Sequence, residues 1–132
     1  VIAITPDQQL VMVEQFRHGT ETVELEIPGG VMDDTDKSPV ATGVRELREE
    51  TGFEGENARV IGSVEVNPAF MNNTCYTVHV ENCTLRHKTE FDAAEDIANR
   101  LVPADEVHAL AAQGKIRHSL VVAALYHFKM LG

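Results

Sequence analysis

The segment from Ser38 to Gly52, SPVATGVRELREETG, carries both of its own helix ends and so fixes one element of the fold before anything else is read. Ser38 offers a side-chain oxygen to unpaired amides of a first turn. Pro39 suits the first helical position, where a missing N–H costs nothing, and Gly52 suits the left-handed residue beyond the last turn. At about 100° per residue, Glu46, Glu49 and Glu50 fall within an arc of roughly 100°, while Val40, Val44, Leu47 and Thr51 cluster about 140° away. The spacing predicts a helix over residues 39–51 that packs on one face and presents three carboxylates on another. Like charges at i,i+4, here Glu46 and Glu50, cost an isolated helix roughly 0.2–0.5 kcal/mol. A divalent cation would remove that cost, since hard cations such as Mg²⁺ take oxygen ligands and leave positions for substrate phosphates. The plainer alternative is surface ion pairing with Arg45 and Arg48, and the helix alone does not decide between them.

On either side of this helix the pattern is mostly strand. VIAITPDQQLVMVEQFR reads as a hairpin turning at Pro6-Asp7, with Val11, Val13 and Gln15 on one face and Leu10, Met12, Glu14 and Phe16 on the other. ETVELEIPGG alternates as a half-buried strand and breaks at Pro28-Gly29-Gly30. ARVIGSVEV, TCYTVHVENCTL and DIANRLVP are three further strand candidates, and PADEVHALAAQG and HSLVVAALYHFKML are two C-terminal helices. Apolar residues at 121, 124, 125 and 128 give the last helix a buried stripe. The expected architecture is one α/β domain over residues 1–132, a mixed β-sheet sandwiched between helices.

Composition excludes several functions. A formal net charge of −10 argues against binding a nucleic-acid polymer, which requires Lys and Arg to neutralise phosphates. Any anionic partner must then meet a local positive charge, which a bound cation could supply near the acidic residues at 33–36 and 46–56. No run of 18 apolar residues is present, which argues against a membrane helix, and no signal peptide is visible. Cys75 and Cys83 are too few for a metal cluster or a disulfide framework and read as reduced thiols, which predicts a cytoplasmic protein. The six histidines show no metal-ligand spacing, the G-x-S-x-G elbow is missing, and IPGGVMDD lacks the lysine of a phosphate-binding P-loop.

Taken together, PGGVMDDTDKSPVATGVRELREETGF resembles the Nudix box. That pattern is a glycine, five residues, Glu, seven residues, then Arg-Glu-aliphatic-x-Glu-Glu-x-Gly-aliphatic or aromatic. Arg45, Glu46, Leu47, Glu49, Glu50, Gly52 and Phe53 match its second half. The first half departs: six residues on from Gly30 stands Asp36 instead of Glu, and eight residues separate it from Arg45, which puts a role for Asp36 in doubt. The resemblance, with the box at about residues 30–53, implies a Nudix fold and hydrolysis of a nucleoside diphosphate linked to another moiety. It implies Mg²⁺, with Mn²⁺ possible, held by Glu46, Glu50 and the Gly29 carbonyl. Glu49 would be a third ligand or a catalytic neighbour, and Arg45 would orient a glutamate.

Three features outside the box resemble the ADP-ribose pyrophosphatase group. Pro68 lies 15 residues after Phe53; QFR is followed by EIPGG; and the C-terminal third runs from an EDI loop to GKI before the last helix. This implies that Arg17 serves a phosphate or ribose, that Glu26 serves substrate or the metal shell, and that Pro68 and Phe70 border the substrate. Core packing is the plainer reading of Phe70 and Met71. Glu95 would be the catalytic base, with Glu90 as second choice. The expected reaction is cleavage of ADP-ribose or a related nucleoside diphosphate sugar, by a homodimer whose subunits share the site. Apolar residues on both faces of the first two strands also point toward a dimer. Action on another nucleotide, and nucleotide binding without hydrolysis, stay open as alternatives.

Overall fold

The structure is a computed structural model and describes residues 1–91 and 96–132. In chain order it contains β1 (Ile2–Ala3), β2 (Gln9–Arg17), β3 (Thr22–Glu26), α1 (Pro39–Thr51), β4 (Phe53–Glu65), β5 (Thr74–Leu85), β6 (Ile97–Pro103), α2 (Val107–Ala112) and α3 (Ser119–Lys129). The expected α/β architecture of mixed sheet and helices is present, with its strands divided between two three-stranded sheets, a mixed one ordered β1-β5-β4 and an antiparallel one ordered β3-β2-β6.

The expected N-terminal hairpin is not formed. Thr5 and Gln9 close a tight turn, with Gln8 at φ 62°, but pairing between the two segments stops at the Ile4–Leu10 bridge. β1 runs parallel to β5 instead, Ile2 opposite His79 and Ala3 opposite Val80. A segment apolar on both faces gains more from a position covered on both sides than from a two-stranded ribbon. The Ile4 amide donates to Val80 while the Thr5 amide donates to Gln9, so this short stretch ties one sheet to the other.

Alternation then sorts the core into two layers. Ile2, Leu10 and Met12 face α2 and α3, packing with Val107, Ile116, Val121 and Leu125. Val1, Ala3 and Val11 face α1, packing with Leu47, Phe53, Val78 and Val80. Both apolar faces of β1 and the first half of β2 are thus covered within one subunit, and they carry no argument for a dimer. In α3, Val121, Ala124 and Leu125 are buried as expected, and Phe128 packs against the same layer. β4 begins at Phe53, ahead of the predicted start at Ala58, because Phe53 and Glu54 pair with Leu85 and Thr84 across three register shifts. α2 is shorter than the predicted 103–114, since Pro103 still belongs to β6.

The ends of α1 are as the sequence predicts. Ser38 Oγ accepts from the Ala41 amide, and Gly52 adopts φ 77° with its N–H donating to the Arg48 carbonyl. A Cβ at Gly52 would stand 2.2 Å from the His87 carbonyl oxygen, so both the positive φ and the close approach require glycine. The buried face is rotated from the predicted one. Leu47 and Thr51 are buried, but so are Gly43 and Glu50, while Val40 and Val44 are only half-buried. Gly43 lets the helix press against Val78, whose side chain would lie 3.1 Å from a Cβ at that position. The closest approach follows the missing side chain more than the largest apolar ones.

Candidate active site

Arg45, one turn into the charged part of α1, organises the acidic residues around it. Its Nε and Nη2 donate to the two oxygens of Asp36 at 2.9 and 2.8 Å, Nη1 donates to Glu46 at 3.1 Å and Glu49 at 3.0 Å, and Nη2 also reaches the Val31 carbonyl at 3.2 Å. Asp36 further accepts from the Asp33 amide and the Thr42 hydroxyl, each at 3.0 Å. The Arg45 guanidinium, helped by these donors, holds the Asp36 carboxyl well below the usual carboxylate range, and Asp36 in turn raises the pKa of Arg45. Asp36, whose role the altered spacing put in doubt, is therefore the main anchor of this arginine. The loop just ahead of Asp36 is folded by a turn in which the Asp33 carboxylate accepts from the Thr35 amide and hydroxyl.

The three glutamates do not point one way. Glu46 lies over the glycine loop: a Cβ on Gly30 would fall 2.1 Å from Glu46 Oε1, so a side chain there would displace the Glu46 carboxylate. Glu50 is buried and accepts from the Gly29 amide at 3.3 Å. Glu49 turns to another face of α1, onto a groove shared with Val44, Arg48, Glu54, His87 and Glu90. Among the described residues, no three His, Cys, Asp or Glu side chains converge as ready cation ligands. The carboxylates are arrayed along the helix edge and steadied by Arg45 and Gly29.

Glu50 and Gly29 line a cleft of about 510 Å³ between the ends of the two sheets, which also takes in Arg17 and Glu26 from β2 and β3. Glu26 is buried and grips Arg17 through both oxygens, at 2.8 and 2.7 Å. Arg17 is 44% exposed at its side chain, so it presents a positive charge to the cleft while its fork is held. Sequence reading had placed both residues near substrate; the register explains it, because Glu26 lies opposite Val13 and so on the sheet face that carries Gln15 and Arg17.

Pro68 and Phe70 lie in the β4–β5 connection, where the Phe70 and Met71 amides both donate to the Asn67 carbonyl. Neither lines the cleft, although Val66 and Asn73 at the two ends of their loop do. Phe70 is 79% exposed and Met71 40%, which overturns the core-packing alternative for both. Glu90 donates its amide to the Glu49 carbonyl at 2.7 Å and sits 3.9 Å from Arg48, placing it beside the carboxylate array. Glu95 lies outside the described residues. Among the lining residues not anticipated from sequence are Tyr76 and His118. Alternation in β5 could have found Tyr76, since it shares the α1-facing side of Val78; His118 had no local signal.

Residues 1–125 match the NUDIX domain. The chain belongs to the NUDIX family. It is 26% identical to an ADP-ribose pyrophosphatase of Bacillus subtilis (strain 168) over 131 residues, 98% of this chain and 70% of that protein. It is 43% identical to a methanol dehydrogenase activator of Bacillus methanolicus over 70 residues, 53% of this chain and 37% of that protein. It is 39% identical to an ADP-sugar pyrophosphatase of Mus musculus over 71 residues, 54% of this chain and 32% of that protein. The chain thus spans only about a third of the length of the last two. A solved structure described as an ADP compounds hydrolase superposes with a TM-score of 0.87 at 22% identity, covering 98% of this chain and 69% of that one, and shares its fold. Within the Nudix box, the second half forms the helix and its charged edge. The departing first half is the Asp33–Asp36 turn that anchors Arg45.

Proposed function

We propose that this Nudix domain hydrolyses the pyrophosphate of ADP-ribose or a related nucleoside diphosphate sugar, dependent on Mg²⁺ or, alternatively, Mn²⁺, to a nucleoside monophosphate and a sugar phosphate. One observation carries the reading: Glu50 and Gly29 line the same cleft as the Arg17–Glu26 pair. A chain of net charge −10 thereby gathers one exposed cation and a carboxylate edge around a space fit for a dianionic ligand. The pyrophosphatases among its relatives support the same chemistry.

The residues fit a hard cation. The donors are carboxylate oxygens one helical turn apart, beside a glycine backbone that leaves room for Glu46 and meets Glu50. Glu46, Glu50 and the Gly29 carbonyl would hold it, with Glu49 as a further ligand or neighbour. When bound, the cation neutralises phosphate oxygens and lowers the pKa of coordinated water. Arg45 keeps Glu46 and Glu49 in place. Arg17 meets the charge of the diphosphate, and Glu26 aims it. Glu95 accepts the proton of the attacking water, with Glu90 as the second candidate. Water adds to one phosphorus, the bridging P–O bond breaks, and the bridging oxygen leaves on the other phosphate. Pro68 and Phe70 bear on the substrate only through the loop whose ends line the cleft.

We infer that the domain works as a homodimer. With β1 and the start of β2 covered inside the subunit, exposed apolar surface next to them is offered by Phe16 at the end of β2 and Val23 of β3, opposite each other in the register. Light scattering at micromolar concentration is expected to give about twice the chain mass of 14.5 kDa; a fully active monomer at every concentration refutes a shared site. Cys75 and Cys83 are both free thiols, and burial pushes Cys83 up to about 11, which suits a reducing, cytoplasmic setting.

The deciding experiment incubates the protein with Mg²⁺ or Mn²⁺ and a panel of nucleotide sugars, dinucleotides and triphosphates. Release of AMP from ADP-ribose is expected. Monophosphate from another substrate class alone moves the specificity, and no hydrolysis of any nucleotide, with binding intact, makes this a binding domain.

A further inference from the structure

The cleft that holds Glu50 is lined by two chemically different groups of residues. Gly29, Glu50, Arg17 and Glu26 supply polar and charged atoms, matched to phosphates. Tyr76, Met32 and Val66 add aromatic and apolar lining, of which Tyr76 is 45% exposed and Met32 45% exposed. Tyr76 is the one phenyl or phenol ring among the described residues that line this cleft. Its placement follows from β5: Tyr76 stands two residues before Val78, on the side facing α1. Val78 is covered by Gly43, but the helix begins at Pro39, and the cleft opens beside that first turn, among Pro39, Thr42 and Gly43. Tyr76 lines the cleft beside that turn and keeps 45% of its surface exposed.

We propose that Tyr76 is the platform on which the base of the nucleotide stacks, with the diphosphate reaching from it toward Arg17 and Glu50. This rests on the reading of the cleft as a nucleotide site. It assigns the base to the strand wall instead of to Phe70, whose ring is more exposed and lies outside the lining. A planar heteroaromatic ring gains from an aromatic face whatever its hydrogen-bond pattern, and the thioether of Met32 suits the edge of such a stack. The phenol oxygen is not needed for stacking, so a phenylalanine serves equally well.

The chain has no tryptophan and only two tyrosines, Tyr76 and Tyr126, the latter on the exposed side of α3. Tyrosine emission therefore reads the platform directly. In the Glu50→Gln background, AMP is expected to quench the emission of the Tyr126→Phe variant and not that of Tyr76→Phe, while ribose 5-phosphate quenches neither. In steady-state assays with ADP-ribose, Tyr76→Ala is expected to raise KM by roughly 5- to 100-fold with a smaller change in kcat. Tyr76→Phe restores wild-type KM, and Phe70→Ala raises it less than Tyr76→Ala does. Quenching that survives in Tyr76→Phe, or a KM that moves with Phe70 and not with Tyr76, overturns the assignment while leaving hydrolysis intact. A wild-type protein that neither binds AMP nor hydrolyses any nucleotide overturns the reading of the cleft on which it rests.

Discussion

Two arginines face carboxylates at this site, and they are held in opposite ways. Arg45 is 26% exposed and divides its fork among Asp36, Glu46, Glu49 and the Val31 carbonyl, all within the box. Arg17 is 44% exposed, and Glu26 takes it from one side through two parallel bonds. The first guanidinium is a brace: it is enclosed by the groups it arranges. The second is a charge at the lining of the cleft, half-exposed and gripped by a buried carboxylate. Arginine supplies both roles because its planar fork can bind two oxygens on one edge and keep donors on another.

The comparison can be broken by substitution. Glu50→Gln is expected to lower turnover on the order of 10³-fold, since it removes a carboxylate from the proposed cation-binding edge. Gln can still accept from the Gly29 amide, so calorimetry should show a melting temperature no lower than wild type; a large drop would make Glu50 a structural group. Arg45→Ala is expected to lower both melting temperature and kcat, as Asp36, Glu46 and Glu49 lose their common partner, and Arg45→Lys should recover only part because an ammonium cannot bridge the same oxygens. Arg17→Ala should raise KM roughly ten- to hundredfold through loss of charge-assisted bonds to phosphate, with a smaller fall in melting temperature. Equal thermal losses in the two alanine variants would erase the distinction between brace and half-exposed charge.

The smallest expected effect lies away from both arginines. His79 is buried beside Phe128, its Nδ1 has no hydrogen-bond partner among the described residues, and burial and then Arg59 lower its pKa, against a smaller opposing pull from Glu81. Because the folded value lies below the unfolded one near 6.5, the unfolded chain takes up the proton first as pH falls. Stability should be full above pH 6.5 and decline below it, and His79→Leu should flatten that part of a melting-temperature profile. An unchanged profile would assign the acid sensitivity to other groups.

Much of α1 was legible because its signals are local. A cap, a proline, a glycine and a 3.6-residue period act within one turn, and no distant contact is needed to read them. β5 was equally plain, running from Thr74 to Leu85 as its alternation predicts. The N-terminal hairpin was misread for the opposite reason. A tight turn between two apolar segments satisfies every local rule for a hairpin, yet the partner of Ile2 and Ala3 is β5, more than 70 residues on. Which strand wins depends on which arrangement covers both faces, and that is a property of the assembled layers.

The amino-acid order by itself determined the carboxylate edge of α1, its two caps and the glycines ahead of it, because each depends on residue type and spacing along one short stretch. Only the tertiary structure decided where those carboxylates point. Glu50 is drawn to the cleft because Gly43 lets α1 lie close on Val78, and Glu49 is turned to another groove by the same rotation. Tertiary structure also decided that Asp36, displaced by a one-residue longer loop, still reaches Arg45, with the Asp33 turn folding the loop just ahead of it. Side-chain direction follows the closest backbone approach, and that approach is set by partners many residues away.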